Sequence, residues 1–398
     1  LELTTLDDWL DCGEAPPLRG HRVFVRADLN VPLENGRIVD DTRLRASVGT
    51  VKRLCAAGAR VILASHLGRP GGEPVPALSL APLAPALADL SGLPVAFSDD
   101  CVGAPALAAS ETLGEGEILL LENLRFHAGE TKNDPAFAED LAALADFYVN
   151  DAFGTAHRAH ASTAGIVEHV SRAAAGDLLL SELRHLGRIL EPDRPLLCIL
   201  GGAKVSDKLG VLQNLAQSAD VLAVGGAMAY SFLAARGESV GDSLVEENRF
   251  EAARALLDQA EAGGCELLLP TDHVVSPSAD GSGESKIVHS IPAGWMGVDI
   301  GPETAKRYAE ATRSARTILW NGPMGIFEVD AFAHGTERVA QAVAEAEAMT
   351  VIGGGDSLAA IAQLGIGHRI DHLSTGGGAS LEFVQGVTLP GVAALEKR

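Results

Sequence analysis

Arg43, Arg69, Arg125 and Arg158 sit at or just beyond the ends of apolar runs in the first half of the chain, in company with Asp28, Asn30 and His66. A guanidinium fork matches the oxygens of a carboxylate or phosphate two hydrogen bonds at a time. Taken singly, each arginine reads as a surface ion pair. At equivalent strand-end positions they read as a pocket for a small phosphorylated acid. In the second half the apolar runs end differently, in GGAKVSDK (Gly201 to Lys208), AVGGAM (Ala223 to Met228), WNGPMGIFE (Trp320 to Glu328), GGGDS (Gly353 to Ser357) and TGGGAS (Thr375 to Ser380). Glycine lets backbone N–H groups approach phosphate oxygens, and a helix that follows adds positive potential.

Lys204 and Lys208, four apart, are expected on one face of a helix's first turns, where two cations repel each other and oppose the helix dipole. A bound anion relieves both; the other reading is a solvated pair partly neutralised by Asp207. The pattern is no P-loop, since G-x-x-x-x-G-K-[ST] is missing from the sequence. Asp356 follows Gly353, Gly354 and Gly355, close enough to phosphates on those backbone donors to hold Mg²⁺ directly or through water; alone, the triplet also reads as a tight turn. Gly376, Gly377 and Gly378 repeat the arrangement, where a helix start would stabilise phosphoryl charge in transfer. Asn321 and Glu328 suit ribose hydroxyls, or else frame a Pro-Gly turn. His157 and His160, three apart, have no third metal ligand in register. An acid site in one half and a nucleotide site in the other describe a two-substrate phosphotransferase.

These loops need a scaffold that lines up strand ends. Short Val/Ile/Leu runs alternate with longer Ala/Leu-rich amphipathic stretches, the pattern of βαβ units. Strands are expected near 22–27, 60–65, 94–97, 117–121 and 146–150, then near 196–200, 220–224, 266–269, 317–320, 350–352 and 371–374. A helix is expected over 41–58 with Gly58 as its stop, and another over 178–190, broken by EPDRP (Glu191 to Pro195) and read as an interdomain connector.

Composition agrees. With 398 residues, 47% hydrophobic and 21% charged, the chain has the length of two or three ordinary α/β domains. Aromatic residues are only 4% and net charge is −22, which argues against base-stacking surfaces, nucleic acid or anionic membranes as partners. The arginine cluster opposes that balance. Cys12, Cys55, Cys101, Cys198 and Cys265 form no C-x-x-C, as expected of a reduced, cytoplasmic compartment. No apolar run reaches the ~18–20 residues of a membrane span, and LELTTLDDWLD lacks the pattern of a signal peptide.

RADLNVP, SHLGRP, ENLRFHAGE, VNDAFGTAHRAHAST, GGAKVSDK, WNGPMGIFE, GGGDS and STGGGASLE follow one another from about residue 21 to residue 392. In kind and order they resemble the phosphoglycerate kinase family. The resemblance implies two doubly wound parallel-sheet α/β lobes: a 3-phosphoglycerate-binding domain over 1–172, a hinge helix over 173–191 and a nucleotide-binding domain over 192–385, with the tail 386–398 packing back on the first lobe. It implies a monomer that closes on its substrates and moves phosphate between 1,3-bisphosphoglycerate and MgADP. The acid site would be Asp28, Asn30, Arg43, His66, Arg69, Arg125 and Arg158. The nucleotide site would be Gly202, Lys204, Lys208, Gly226, Gly297, Asn321, Pro323, Glu328, Gly353, Gly354, Gly355, Asp356 and Ser357. Arg43 and Lys204, with Gly376 and Gly377, would stabilise the phosphoryl group in flight, and Asp356 would contact Mg²⁺.

The sequence departs from that family's habit at RADLN, at Asp177 where an apolar residue is usual, and in SVGTVKRL, which lacks a proline after Arg43. These bear on stability and hinge behaviour. Two other readings fit less. A nicotinamide-dependent dehydrogenase would open its first βαβ unit with G-x-G-x-x-G and an acid ~20 residues on, where this chain has RADLN. A non-catalytic scaffold of the same fold would be expected to lack Lys204, Asp356 or some of the arginines.

Overall fold

The apolar runs fold as two separate parallel sheets. The computed structural model describes residues 2–10 and 18–396, so Cys12 lies outside the described residues. The chain divides into two units, Leu1–Leu183 with Thr388–Arg398, and Arg184–Val387.

The first unit contains β1 (Arg22–Ala27), β2 (Leu33–Glu34), β3 (Arg37–Ile38), β4 (Arg60–Ala64), β5 (Val95–Ser98), β6 (Ile118–Leu121), β7 (Phe147–Asp151) and β8 (Ala173–Ala175). Six of them form one sheet in the order β5-β6-β4-β1-β7-β8, with every neighbour parallel. Central β1 is covered on both faces, so Val23, Phe24 and Val25 are all fully buried, as the unbroken apolar run requires. Helix Thr42–Ala56 lays Leu44, Val51 and Leu54 on the same core as Val23, Val25, Leu63, Leu120 and Val149. Gly58, at φ +81°, turns the chain out of it. β1 has β4 on one side and β7 on the other, so chain direction across the sheet reverses beside it. Ligands of doubly wound folds sit at the strand ends of such a switch.

Residues 173–175, expected in the hinge helix, are instead strand β8, paired with β7; pairing at the sheet edge overrides the helical preference of three alanines. The helix runs Asp177–Leu190. The Asp151 carboxylate receives its first N–H groups, from Leu178 at 2.8 Å and Leu179 at 3.2 Å. Asp177 is paired with Arg53 at 2.6 Å, which accounts for an acid at that position. The tail belongs to this unit: Gly391 N donates to Ala156 O at 2.8 Å, and Glu396 bridges to Leu3.

The second unit holds β9 (Leu196–Leu200), β10 (Val221–Val224), β11 (Glu266–Leu268), β12 (His273–Ser276), β13 (Lys286–Val288), β14 (Met296–Ile300), β15 (Thr317–Asn321), β16 (Met349–Gly353) and β17 (His372–Ser374). The main sheet is β11-β10-β9-β15-β16-β17, parallel throughout. Ile199, Ala223, Ile318, Trp320 and Ile352 form its core. The switch lies between β9 and β15. A second, antiparallel sheet β13-β12-β14 interrupts the βα alternation; its short strands were not expected from the sequence.

Candidate active site

At the carboxyl ends of the first sheet, Asp28 and Asn30 follow β1, and Arg43 stands in the first turn of helix Thr42–Ala56. Arg43 Nη1 lies 2.7 Å from Asp28 Oδ2, leaving the rest of its half-exposed fork open. Asn30 Oδ1 accepts from Gly68 N at 2.8 Å, and Gly68 O accepts from Arg125 Nη1 at 2.8 Å. This chain of bonds ties the loops after β1, β4 and β6 together. Arg69 and Arg158 are exposed and no hydrogen bond or ion pair engages either side chain among the described residues.

Two residues not singled out from the sequence organise this cluster. Arg26, the fifth residue of β1, is fully buried; its Nε donates to Ser162 Oγ at 2.8 Å, its Nη1 to Ala27 O, and its Nη2 lies 3.2 Å from His66 Nδ1. Glu130, also fully buried, accepts from Ser162 N at 2.9 Å and Ser162 Oγ at 2.6 Å. A charged residue inside an apolar run was the available signal for Arg26, since buried arginine needs partners.

Burial, with Arg26, Arg125, Arg43 and His160 around it, holds His66 well below the usual histidine range. His66 is therefore neutral at pH 7, and because a guanidinium can only donate, Nδ1 is the acceptor and Nε2 carries the proton. Burial, then Arg26, brings Arg125 down to about 10, still charged. At Glu130 burial works upward, but His160, Arg26 and Ser162 outweigh it and keep the carboxylate ionised. His160 is no metal ligand beside His157; its Nδ1 faces Glu130 Oε1 at 3.7 Å.

In the second unit the glycine loops first solve a packing problem. A Cβ on Gly201 would overlap the Pro323 carbonyl, and one on Gly226 would fall 2.6 Å from Gly202 N and O. Gly322, at φ +96°, presses equally on Gly201 O. The loops after β9, β10 and β15 thus meet backbone to backbone, closer than any side chain permits. Lys204 and Lys208 do not lie within a helix as expected, because helix Leu209–Ser218 begins one residue later. Lys208 is folded inward, its Nζ donating to Gly201 O at 2.7 Å, Asn321 O at 2.9 Å and Asn321 Oδ1 at 2.6 Å. All three ammonium donors are used, bridging the β9/β15 switch. Burial lowers this lysine to about 8, against the pull of Asp356 and Asp207. Lys204 is exposed, and among the described residues no hydrogen bond or ion pair engages its side chain.

Gly353 closes β16, Gly354 caps helix Gly355–Leu364 at φ +93°, and Asp356 lies in its first turn. Among the described residues nothing bonds the exposed Asp356 carboxylate, so a hard cation and its phosphate oxygens have access to it. Ser357 is turned inside and accepts from Gly322 N at 2.6 Å. Glu328 is exposed. Gly376 N donates to Ser374 Oγ at 3.3 Å, and Gly377 caps helix Gly378–Val384. Gly297 lies on β14, where its N donates to Ser243 Oγ at 2.9 Å and a Cβ would collide with the Tyr230 ring.

A family model described as phosphoglycerate kinase matches residues 14–387. The chain belongs to the phosphoglycerate kinase family. It is 54% identical over 384 residues to a phosphoglycerate kinase of Moorella thermoacetica, covering 96% of this chain and 98% of that one. A chloroplastic phosphoglycerate kinase of Arabidopsis thaliana is 52% identical over 96% of this chain and 81% of its own. Among solved structures, the phosphoglycerate kinase of Coxiella burnetii superposes with a TM-score of 0.86 at 39% identity, covering 96% of this chain and 97% of that one. That of Pyrococcus horikoshii gives 0.86 at 34% identity, over 99% and 98%. Both parallel sheets are thus those of a phosphoglycerate kinase fold.

Proposed function

We propose that the two strand-end sites take the two substrates of the phosphoglycerate kinase reaction: 1,3-bisphosphoglycerate and MgADP exchange one phosphoryl group to give 3-phosphoglycerate and MgATP. The enzyme is a phosphotransferase with a carboxyl group as acceptor. The observation that carries the site assignment is the contrast in construction. The first unit gathers Arg26, Arg43, Arg69, Arg125 and Arg158 at its strand ends within a chain of net charge −22, and the second offers backbone N–H groups, Lys204 and Asp356.

In this reading Arg69, Arg125 and Arg158 hold the 3-phosphate and carboxyl oxygens. Asp28, Asn30 and the Nε2–H of His66 orient the glycerate. Arg43 and Lys204, each with donors to spare, stabilise the phosphoryl group in transfer. Asp356, with the nucleotide phosphates, holds Mg²⁺, which neutralises charge on the bridging oxygens. Gly353 to Gly355 and Gly376 to Gly377 present N–H groups to the phosphates, and Glu328 faces the ribose. The accepting carboxylate, with a pKa of about 4, is ionised at neutral pH and needs no general base. Positioning within about 3–3.5 Å and charge stabilisation suffice. The cysteines, buried and unpaired where described, fit a reduced, cytoplasmic compartment.

Incubation with MgATP and 3-phosphoglycerate, with hydroxylamine to trap acyl phosphate, is expected to yield hydroxamate, and a chelator of Mg²⁺ is expected to stop it. Hydroxamate at the level of the protein-free blank would refute the reading.

A further inference from the structure

Asp100 and Cys101 lie on a loop that the acid site does not use, and His127 lies two residues beyond Arg125 on the loop after β6. Asp100 and Cys101 follow β5, and His127 precedes helix Ala128–Lys132. One carboxylate oxygen, the sulfur and one imidazole nitrogen all fall within 4.8 Å of one another. His127 Nε2 is 2.8 Å from Asp100 Oδ1, which the N–H of Cys101 fixes at 2.7 Å. The imidazole is stacked on Phe137 with centroids 5.2 Å apart. Such outer contacts set the orientation of metal ligands. Asp100 and His127 are 43% and 34% exposed, so solvent reaches the cluster from one side.

An aspartate–histidine pair alone is an ordinary surface contact. The cysteine changes that. Cys101 is fully buried and unpaired, and no hydrogen bond to its sulfur occurs among the described residues.

We propose that Asp100, Cys101 and His127 form a binding site for a borderline-soft divalent cation of the zinc type, with one carboxylate, one imidazole and one thiolate as ligands and water in the fourth position. Tetrahedral zinc with ordinary bond lengths separates such ligand atoms by about 3.3–3.6 Å, so the existing arrangement closes on an ion through side-chain shifts of about an ångström. Thiolate and imidazole select against Mg²⁺, which prefers oxygen ligands. Binding forms a metal–sulfur bond and breaks the Cys101 S–H bond, the proton passing to solvent.

Co²⁺ titrated into the full-length reduced protein, read by absorption, tests this. One ion per chain is expected, with a thiolate-to-cobalt charge-transfer band, displaced by Zn²⁺ and untouched by excess MgATP. Cys101→Ser should abolish the band and Cys265→Ser leave it intact. Because Cys101 is in the core, its replacement could unfold the unit. His127→Ala, at a partly exposed side chain and checked for native circular dichroism, carries the test independently: Zn²⁺ affinity against a chromogenic chelator should fall tenfold or more. No charge-transfer band in the parent protein, or undiminished affinity in folded His127→Ala, overturns the proposal.

Discussion

Arg43 and Lys208 were both expected to serve ligands, and their surroundings separate them. Arg43 spends one donor on Asp28 and keeps the rest, so in the proposed reading its truncation removes charge from the transferring group with little effect on folding. Arg43→Ala should lower kcat by two or more orders of magnitude while MgATP affinity, measured by calorimetry, stays within about twofold. Lys208 has every donor committed to Gly201 and Asn321. Lys208→Ala leaves Gly201 O and Asn321 Oδ1 without their donor, while Asn321 O keeps the Gly201 N–H, and should cost about 1–3 kcal/mol in urea unfolding, with weaker nucleotide binding following from the disturbed loop. Unchanged stability would show that the bridge is dispensable. Spacing revealed that a lysine stood at each position; only the fold distinguishes the inward ammonium from the outward one.

At the level of elements, glycines that looked alike in sequence divide into two kinds. Gly201 and Gly226 exist because strand-end loops touch backbone to backbone. Gly355, in the first turn of its helix, has nothing within 4 Å of where a Cβ would be. Gly201→Ala should therefore destabilise the protein by more than about 2 kcal/mol, read from the urea midpoint. Gly355→Ala should leave the midpoint nearly unchanged and still reduce MgATP affinity, because the open space is where phosphate would lie. A stable Gly201→Ala protein would contradict the close approach. The β2–β3 hairpin belongs to this scale too. Asn35 and Gly36, at φ +50° and +74°, make the Asn-Gly turn that joins strands running right after RADLN, a signal legible in the sequence.

Across the whole molecule, one buried carboxylate in each unit opposes its own ionisation. Burial raises Asp151 to about 7 against its bonds from Thr50 and the helix N–H groups, and raises Asp299 to about 7 against the N–H groups of Gly335 and Ile300. An acid whose folded value is raised holds its proton in the folded state when the unfolded chain has lost it. Its contribution is therefore greatest below about pH 4 and is lost as pH rises to about 7. His66 and His273, lowered by burial, act in the opposite sense, so the useful quantity is a difference. Asn at position 299 can still accept from Gly335 N but does not titrate. Relative to the parent, Asp299→Asn should gain on the order of 2 kcal/mol of unfolding free energy between pH 5 and pH 8. A constant difference would mean that Asp299 is ionised throughout.

The class of fold, the parallel strands other than β8 and the residues at their ends are legible in the sequence alone. Those features are local: an apolar run buried on both faces must be continuous, and a glycine or arginine after it is visible without coordinates. Tertiary structure decided what depends on distant partners. It paired Ala173–Ala175 with β7, placed the antiparallel β12–β14 sheet between β11 and β15, and put Arg26 inside, held by Ser162, which is ordered in turn by Glu130, from segments more than a hundred residues further along the chain. It also turned Lys208 and Ser357 inward. Whether a polar group faces a ligand or its own backbone is set by which loops share a strand end, and that is a property of the sheet order rather than of any one stretch of sequence.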